Sequence, residues 1–147
     1  MTELAQFFED LVRAETRLYN AVDARLRDRH GLTLGQYELL TVISRRDGCR
    51  VLDIVRTVGI TVGAASKAVD RLEAAGWCRR RVNEDDRRSS VLTVTPAGTR
   101  LLARARPTFE QELTDRLAGV ASERALDQAA RVLGALRAEL ERHQLED

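Results

Sequence analysis

Glycines at positions 31, 48, 59 and 76 each close a stretch of helical spacing, and together they cut the first half of the chain into four helices with short connections. Leu4, Phe8, Leu11, Leu18, Val22 and Leu26 recur at the three-to-four-residue interval of one helical face. Glu15 interrupts that stripe and reads as a solvated edge. Thr33 and Gln36 carry the capping-box pattern for a second helix bearing Tyr37, Leu40, Val42 and Ile43. A short third helix is expected over about 53–58, with a weakly specified start, because Leu52 stands where a polar cap belongs. Thr61 is the next credible N-cap, and its helix turns Ala65, Val69 and Leu72 inward.

The chain then changes character. Arg79-Arg80-Arg81-Val82 and Ser90-Val91-Leu92-Thr93-Val94-Thr95 are β-prone runs around a charged, turn-prone centre, Asn83 to Arg88, and read as a hairpin. Thr95-Pro96 opens another helix, cap followed by proline at the first position, and Pro107 is expected to kink or break it. Ser122 caps the last helix. There Leu126, Ala129, Leu133, Leu136 and Leu140 resemble a coiled-coil seam. The order predicts a mainly α fold with a small β wing: a winged helix-turn-helix between long N- and C-terminal helices.

Charge is unevenly placed. Of 147 residues, 24 are basic and 23 acidic, a net +1, but residues 45–106 hold 14 basic and 7 acidic groups between two acidic ends. A basic centre points to a polyanion partner. No apolar run approaches the roughly 18 residues of a membrane span, and no signal-peptide pattern is visible at the start, so a cytoplasmic protein without membrane contact is expected. Two cysteines cannot staple a secreted scaffold. There is no Gly-rich phosphate loop, zinc-protease histidine pair, nucleophile-elbow serine or Cys-x-x-Cys, so no enzyme and no cofactor is expected.

The helix after Thr61 carries the functional signal. Its outer face, Val62, Gly63, Ser66, Lys67 and Asp70, is small and polar, as a helix needs to be if it is to enter a major groove about 12 Å wide. Thr61, Val62, Gly63, Ser66 and Lys67 are the candidate groove contacts. Arg79 and Arg80, with Arg81, suit phosphates, and Arg87 and Arg88 suit a narrow, electronegative minor groove. A carboxylate beside a wing arginine can orient it by a charge-assisted hydrogen bond, which gives Asp86 a role.

Val69-Asp70-Arg71-Leu72-Glu73-x-x-Gly76-Trp77, then Arg79-Arg80-Arg81, Asp86-Arg87-Arg88 and Thr95-Pro96-x-Gly98, resembles the MarR family of bacterial transcription regulators. The resemblance extends over nearly the whole chain. It implies a homodimer, with 1–32 and 107–147 as the helical dimerisation region and 33–106 as the winged DNA-binding region. It further implies repression from an inverted-repeat operator on double-stranded DNA, released by a small phenolic or other aromatic effector. By position, Asp86 and Arg88 match the family's wing Asp-x-Arg, and Asp70 matches an acid that pairs with a wing arginine in relatives. Asp70 or Asp86 is therefore expected to hold Arg88. Gly63-Ala64-Ala65 departs from the bulkier or hydroxylated residues common there, leaving fewer side chains to read bases. Leu52 departs from the usual cap of the preceding helix.

Two other classes compete: a sequence-tolerant DNA-coating protein, favoured by the sparse helix, and a winged-helix protein-interaction module, which the wing arginines disfavour. Cys49 and Cys78, each near arginine, are read first as small buried fillers and second as redox sensors. His30 and His143 lack nearby ligands, so no metal is expected. Phe8, Arg13, Tyr19 and Tyr37 serve either an effector pocket or the core and interface. Trp77 is expected to pack between helix and wing.

Overall fold

The N-terminal stripe divides in two. Val22 and Leu26 are buried, whereas Leu4 and Phe8 are 71% and 65% exposed, although one uninterrupted helix, α1 (Thr2–His30), carries all four. The computed structural model describes residues 2–82 and 89–144. It contains five further helices, α2 (Leu34–Arg45), α3 (Val51–Val58), α4 (Val62–Ala74), α5 (Pro96–Leu117) and α6 (Glu123–Gln144), and two strands, β1 (Cys78–Arg81) and β2 (Val91–Val94). This is the mainly α fold with a small wing that the sequence predicts. Residues Met1–Glu112 form one compact unit and Leu113–Asp147 a second.

The expected punctuation is present. Gly31, Gly48, Gly59 and Gly76 all have positive φ, the left-handed conformation that a side chain disfavours. Thr33 Oγ1 accepts from the Gln36 amide at 3.0 Å while Gln36 Oε1 accepts from the Thr33 amide at 3.0 Å, closing the capping box. Asp23 Oδ1 accepts from the Leu34 amide at 2.8 Å, which ties α1 to the start of α2. Glu15 is exposed, as a solvated edge should be.

Two helix boundaries differ from expectation. Helix α3 begins at Val51, two residues early, because Asp53 Oδ2 reaches back to accept from the Arg50 amide at 2.8 Å. Leu52 is thus an exposed residue inside the first turn and not a failed cap. Helix α5 does not break at Pro107. The proline removes one backbone donor, but the residues that follow it are anchored. Thr108 Oγ1 lies 2.8 Å from His30 Nε2, and the Phe109 ring stacks on Tyr37 at 4.7 Å between centroids. Tertiary contacts thus outweigh the local penalty.

The core of the first unit gathers Leu26, Leu32, Leu40, Ile54, Leu72 and Leu92, all essentially inaccessible. Strands β1 and β2 pair antiparallel, from Cys78 opposite Val94 to Arg81 opposite Val91. Leu92 also bridges to Cys49, whose carbonyl accepts its amide at 2.7 Å, so the chain between α2 and α3 forms a third edge to the wing base. In the second unit Ser122 Oγ accepts from the Ala125 amide at 3.3 Å, the cap expected for α6.

Candidate nucleic-acid interface

Helices α3 and α4 are joined by three residues. Gly59, at φ 74°, ends α3 with its amide donating to Val55 O at 2.9 Å. Thr61 is extended, and its Oγ1 accepts from the Ala64 amide at 3.1 Å, which starts α4. Ala65, Val69 and Leu72 then face the core and are fully buried. The opposite face presents Thr61, Val62, Gly63, Lys67 and Asp70 to solvent, with Ser66 half-buried.

Gly63 is informative because no contact among the described residues requires it. Its backbone is helical, and a Cβ built there would meet no atom within 4 Å. A glycine inside a helix costs about 1 kcal/mol relative to alanine. Packing among the described residues does not explain the missing side chain.

The wing rises from the end of α4. Gly76, at φ 78°, turns the chain, and the Trp77 amide donates to Leu72 O at 3.0 Å. Thr95 Oγ1 donates to Gly76 O at 2.6 Å and accepts from the Gly98 amide at 3.1 Å, so one hydroxyl joins the start of the hairpin to the start of α5. Trp77 is half-buried at this junction.

The three arginines of β1 do not share one environment. Arg79 and Arg81 are exposed, while Arg80 lies on the same strand face as buried Cys78. Arg80 Nη2 stands 2.9 Å from Asp70 Oδ1 and 3.0 Å from Ser66 O, and the Arg80 amide donates to Glu73 Oε2 at 3.0 Å. Asp70 thus holds a strand arginine. Arg88, the partner expected for it, falls with Asp86 and Arg87 outside the described residues. Sequence reasoning does not single out Glu73. Strand parity counted from Cys78 is the signal that turns Arg80 toward α4 and exposes the role of Glu73.

Neither cysteine has a thiolate-favouring setting. Burial, and then the Asp53 carboxylate, push the Cys49 thiol up; the Arg46 guanidinium opposes them. Burial and the Glu73 carboxylate push Cys78 up to about 11, against the pull of Arg80. Both are buried, in keeping with the filler reading. Among the described residues no cluster of His, Cys, Asp or Glu is placed to hold a metal ion, and His30 instead contacts Thr108. No described helix is long and apolar enough to cross a membrane.

Of the aromatic and basic residues named for an effector pocket, Tyr37 lines a cavity of about 390 Å³ between α2, α3 and α5, with Thr41, Arg45, Thr57 and Phe109. Phe8, Arg13 and Tyr19 are exposed residues of α1 and do not line it.

A helix with a stripped outer face, followed by a two-stranded basic wing, defines a winged helix-turn-helix protein. Residues 32–90 match the MarR family model. Among curated relatives it is similar to the HTH-type transcriptional regulator BilQ of Clostridium symbiosum, 28% identical over 56% of this chain and 58% of that one. It is 31% identical to the multiple antibiotic resistance protein MarR of Salmonella typhimurium, over 58% of this chain and 62% of that one. The chain thus spans about six-tenths of the length of these two relatives. Among solved structures it resembles Sco3205, a MarR family transcriptional regulator from Streptomyces coelicolor in complex with DNA. The TM-score is 0.86 at 22% identity, over 95% of this chain and 89% of that one. It also resembles the transcriptional repressor CouR bound to a 23-mer DNA duplex, with TM-score 0.82 and 27% identity over 92% and 95% of the two chains. CouR from Rhodococcus jostii RHA1 bound to p-coumaroyl-CoA matches with TM-score 0.75 and 23% identity, over 86% and 87%.

Proposed function

We propose that this protein is a cytoplasmic, homodimeric transcriptional repressor that binds an inverted-repeat operator and is released by a small aromatic or phenolic effector. The observation that carries the reading is the surface from Thr61 to Lys67, a capped helix start whose glycine serves no internal contact. In this reading α4 enters the major groove with Thr61, Val62, Gly63, Ser66 and Lys67 at the bases and phosphates. Arg79 lies along the backbone, and Arg87 and Arg88, oriented by Asp86, enter the adjacent minor groove. Arg80 belongs to the same surface, although its guanidinium already holds Asp70 and Ser66. Two lobes would meet half-sites about 10–10.5 bp apart on one face of the duplex. The match to a family of transcriptional regulators supports a role without enzymatic activity.

Residues 1–32 and 107–147 supply the dimer contacts in this reading. No described residue of α6 is buried, and Val132, Leu133, Leu136 and Leu140 lie exposed along it, with Leu4, Phe7, Phe8 and Val12 exposed on α1. Apolar faces of this extent call for a partner. The cavity lined by Tyr37, Arg45 and Phe109 has the size and aromatic lining for a single-ring acid, with Arg45 at hand for its carboxylate.

The test is a gel-shift titration on the DNA immediately upstream of the gene for this chain, with unrelated DNA as competitor and Arg87→Ala/Arg88→Ala as control. A discrete shift that survives competitor and disappears in the control supports the reading. Smearing that competitor removes would favour sequence-tolerant binding, which the small outer face of α4 also suits. No binding at low salt would favour a protein-interaction module.

A further inference from the structure

We propose that Val62 reads a thymine by its 5-methyl group, once in each operator half-site. The inference rests on the DNA-binding reading above and deepens it, because it names the feature of a base pair that the start of α4 recognises. The major groove offers two kinds of direct signal, hydrogen-bonding groups and the thymine methyl. The first turns of α4 are poorly equipped for the first kind and carry one side chain suited to the second.

Residues 61–67 read Thr-Val-Gly-Ala-Ala-Ser-Lys. No Arg, Asn, Gln, Asp or Glu stands among them. The bidentate pairings of arginine with guanine and of amides with adenine, and the acceptance of a cytosine amine by a carboxylate, are therefore absent from this stretch. The Thr61 hydroxyl is engaged in the cap, accepting from the Ala64 amide at 3.1 Å. Ser66 is half-buried, with its Oγ 3.5 Å from Arg80 Nη2. Lys67 is a point charge on a flexible stem, which a phosphate satisfies as well as a guanine does, so it discriminates little between bases.

Val62 differs in kind. It is the first residue of α4 and is 53% exposed, the one large apolar side chain of that helix that stands open to solvent. Its neighbours Gly63 and Ala64 carry no atom beyond Cβ, so its methyl groups reach further from the backbone than theirs. A β-branched side chain has essentially one rotamer in a helix, which holds these methyls in place before any partner arrives. Helical side chains lean toward the helix N-terminus, the end that a recognition helix turns to the base edges. The open space at Gly63, where a Cβ would meet no atom within 4 Å, lets a base edge come up beside Val62. A thymine there brings apolar surface against apolar surface and removes both from water. Uracil, which lacks only the methyl, leaves the valine without that contact.

The experiment removes the methyl from the DNA and from the protein in turn. Wild type and Val62→Ala are titrated by fluorescence anisotropy against the duplex upstream of the gene, made with thymine or with deoxyuridine at every thymine, and against an unrelated duplex. Loss of one buried methyl should weaken wild-type binding about four-fold per half-site, or about fifteen-fold where both half-sites are engaged. Val62→Ala should bind the thymine and uracil duplexes alike, with circular dichroism confirming its fold. Wild type indifferent to uracil would overturn the proposal. So would an equal loss in Val62→Ala, since the methyls would then act through DNA shape or another residue. A second arm separates the methyl from hydrogen bonding. At the thymine whose single replacement costs most, 5-methylcytosine opposite guanine keeps the methyl and changes the hydrogen-bonding pattern. It should retain most of the affinity, whereas unmethylated cytosine should lose as much as uracil; equal loss with both cytosines would overturn the proposal. Wild type that does not prefer the upstream duplex overturns the repressor reading and this inference together. Intact preference without methyl sensitivity overturns this inference alone.

Discussion

The carbonyl of Trp77 lies directly over the α-carbon of Gly98, so closely that a Cβ at position 98 would overlap its oxygen and also press on Val94 Cγ1. The same carbonyl accepts the Thr95 amide at 3.0 Å and cannot move without releasing the hairpin. Gly98→Ala should destabilise the protein by about 1–3 kcal/mol, the usual range for forced overpacking. Urea denaturation checks this. Gly63→Ala is the contrast, because the same methyl group meets open space there. Its stability should hold or rise, by up to about 1 kcal/mol, while DNA affinity falls.

Thr61 holds the first turn of α4 through its hydroxyl. Thr61→Ala should cost about 0.5–2 kcal/mol of stability, and Thr61→Ser much less. Thermal unfolding monitored by circular dichroism distinguishes the two.

Lys67 is exposed on the outer face of α4. If its ammonium neutralises a phosphate, Lys67→Ala should weaken binding alike on the upstream and the unrelated duplex. It should also make the salt slope shallower by about 0.9 for each phosphate left unneutralised. Anisotropy titrations in a salt series read both quantities, and an unchanged slope would mean that Lys67 touches no phosphate.

Cys78 gives the stability a pH dependence of known sign. Its folded pKa, about 11, lies above the ordinary 9.0. The folded protein thus holds this proton more tightly than the unfolded chain. The contribution is whole below about pH 9 and is lost as the pH climbs toward about 11. Denaturation midpoints measured across that window should fall, and fall less in Cys78→Ala. At neutral pH the thiol should resist iodoacetamide until the protein unfolds.

If α6 forms part of a dimer interface, Leu136→Glu with Leu140→Glu should dissociate it. Sedimentation would then give the mass of a single chain, 16.5 kDa. Far-ultraviolet circular dichroism should show the helices retained.

Features set by local chemistry are legible in the sequence. Thr33, Thr61 and Ser122 cap the helices that their spacing assigns them, and the four glycines sit at the turns. Features set by distant partners are not. Pro107 reads as a break because its support comes from His30 and Tyr37, about seventy residues away in the chain. The start of α3 reads as unsupported because its cap is an arginine backbone amide served by the third residue of the helix, Asp53. In the candidate interface the solvent-facing residues of α4 follow from periodicity. Three consecutive arginines look equivalent until strand parity separates Arg80 from its neighbours.

Trp77 is the only tryptophan in the chain, and it sits where α4, the wing and α5 converge. It is half-buried beside the Gly76 turn, where the hairpin leaves α4. The protein therefore carries a built-in optical reporter of that junction. Intrinsic emission alone, with no attached dye, can follow whether DNA or a small molecule shifts the wing, in wild type and in every variant that leaves position 77 intact.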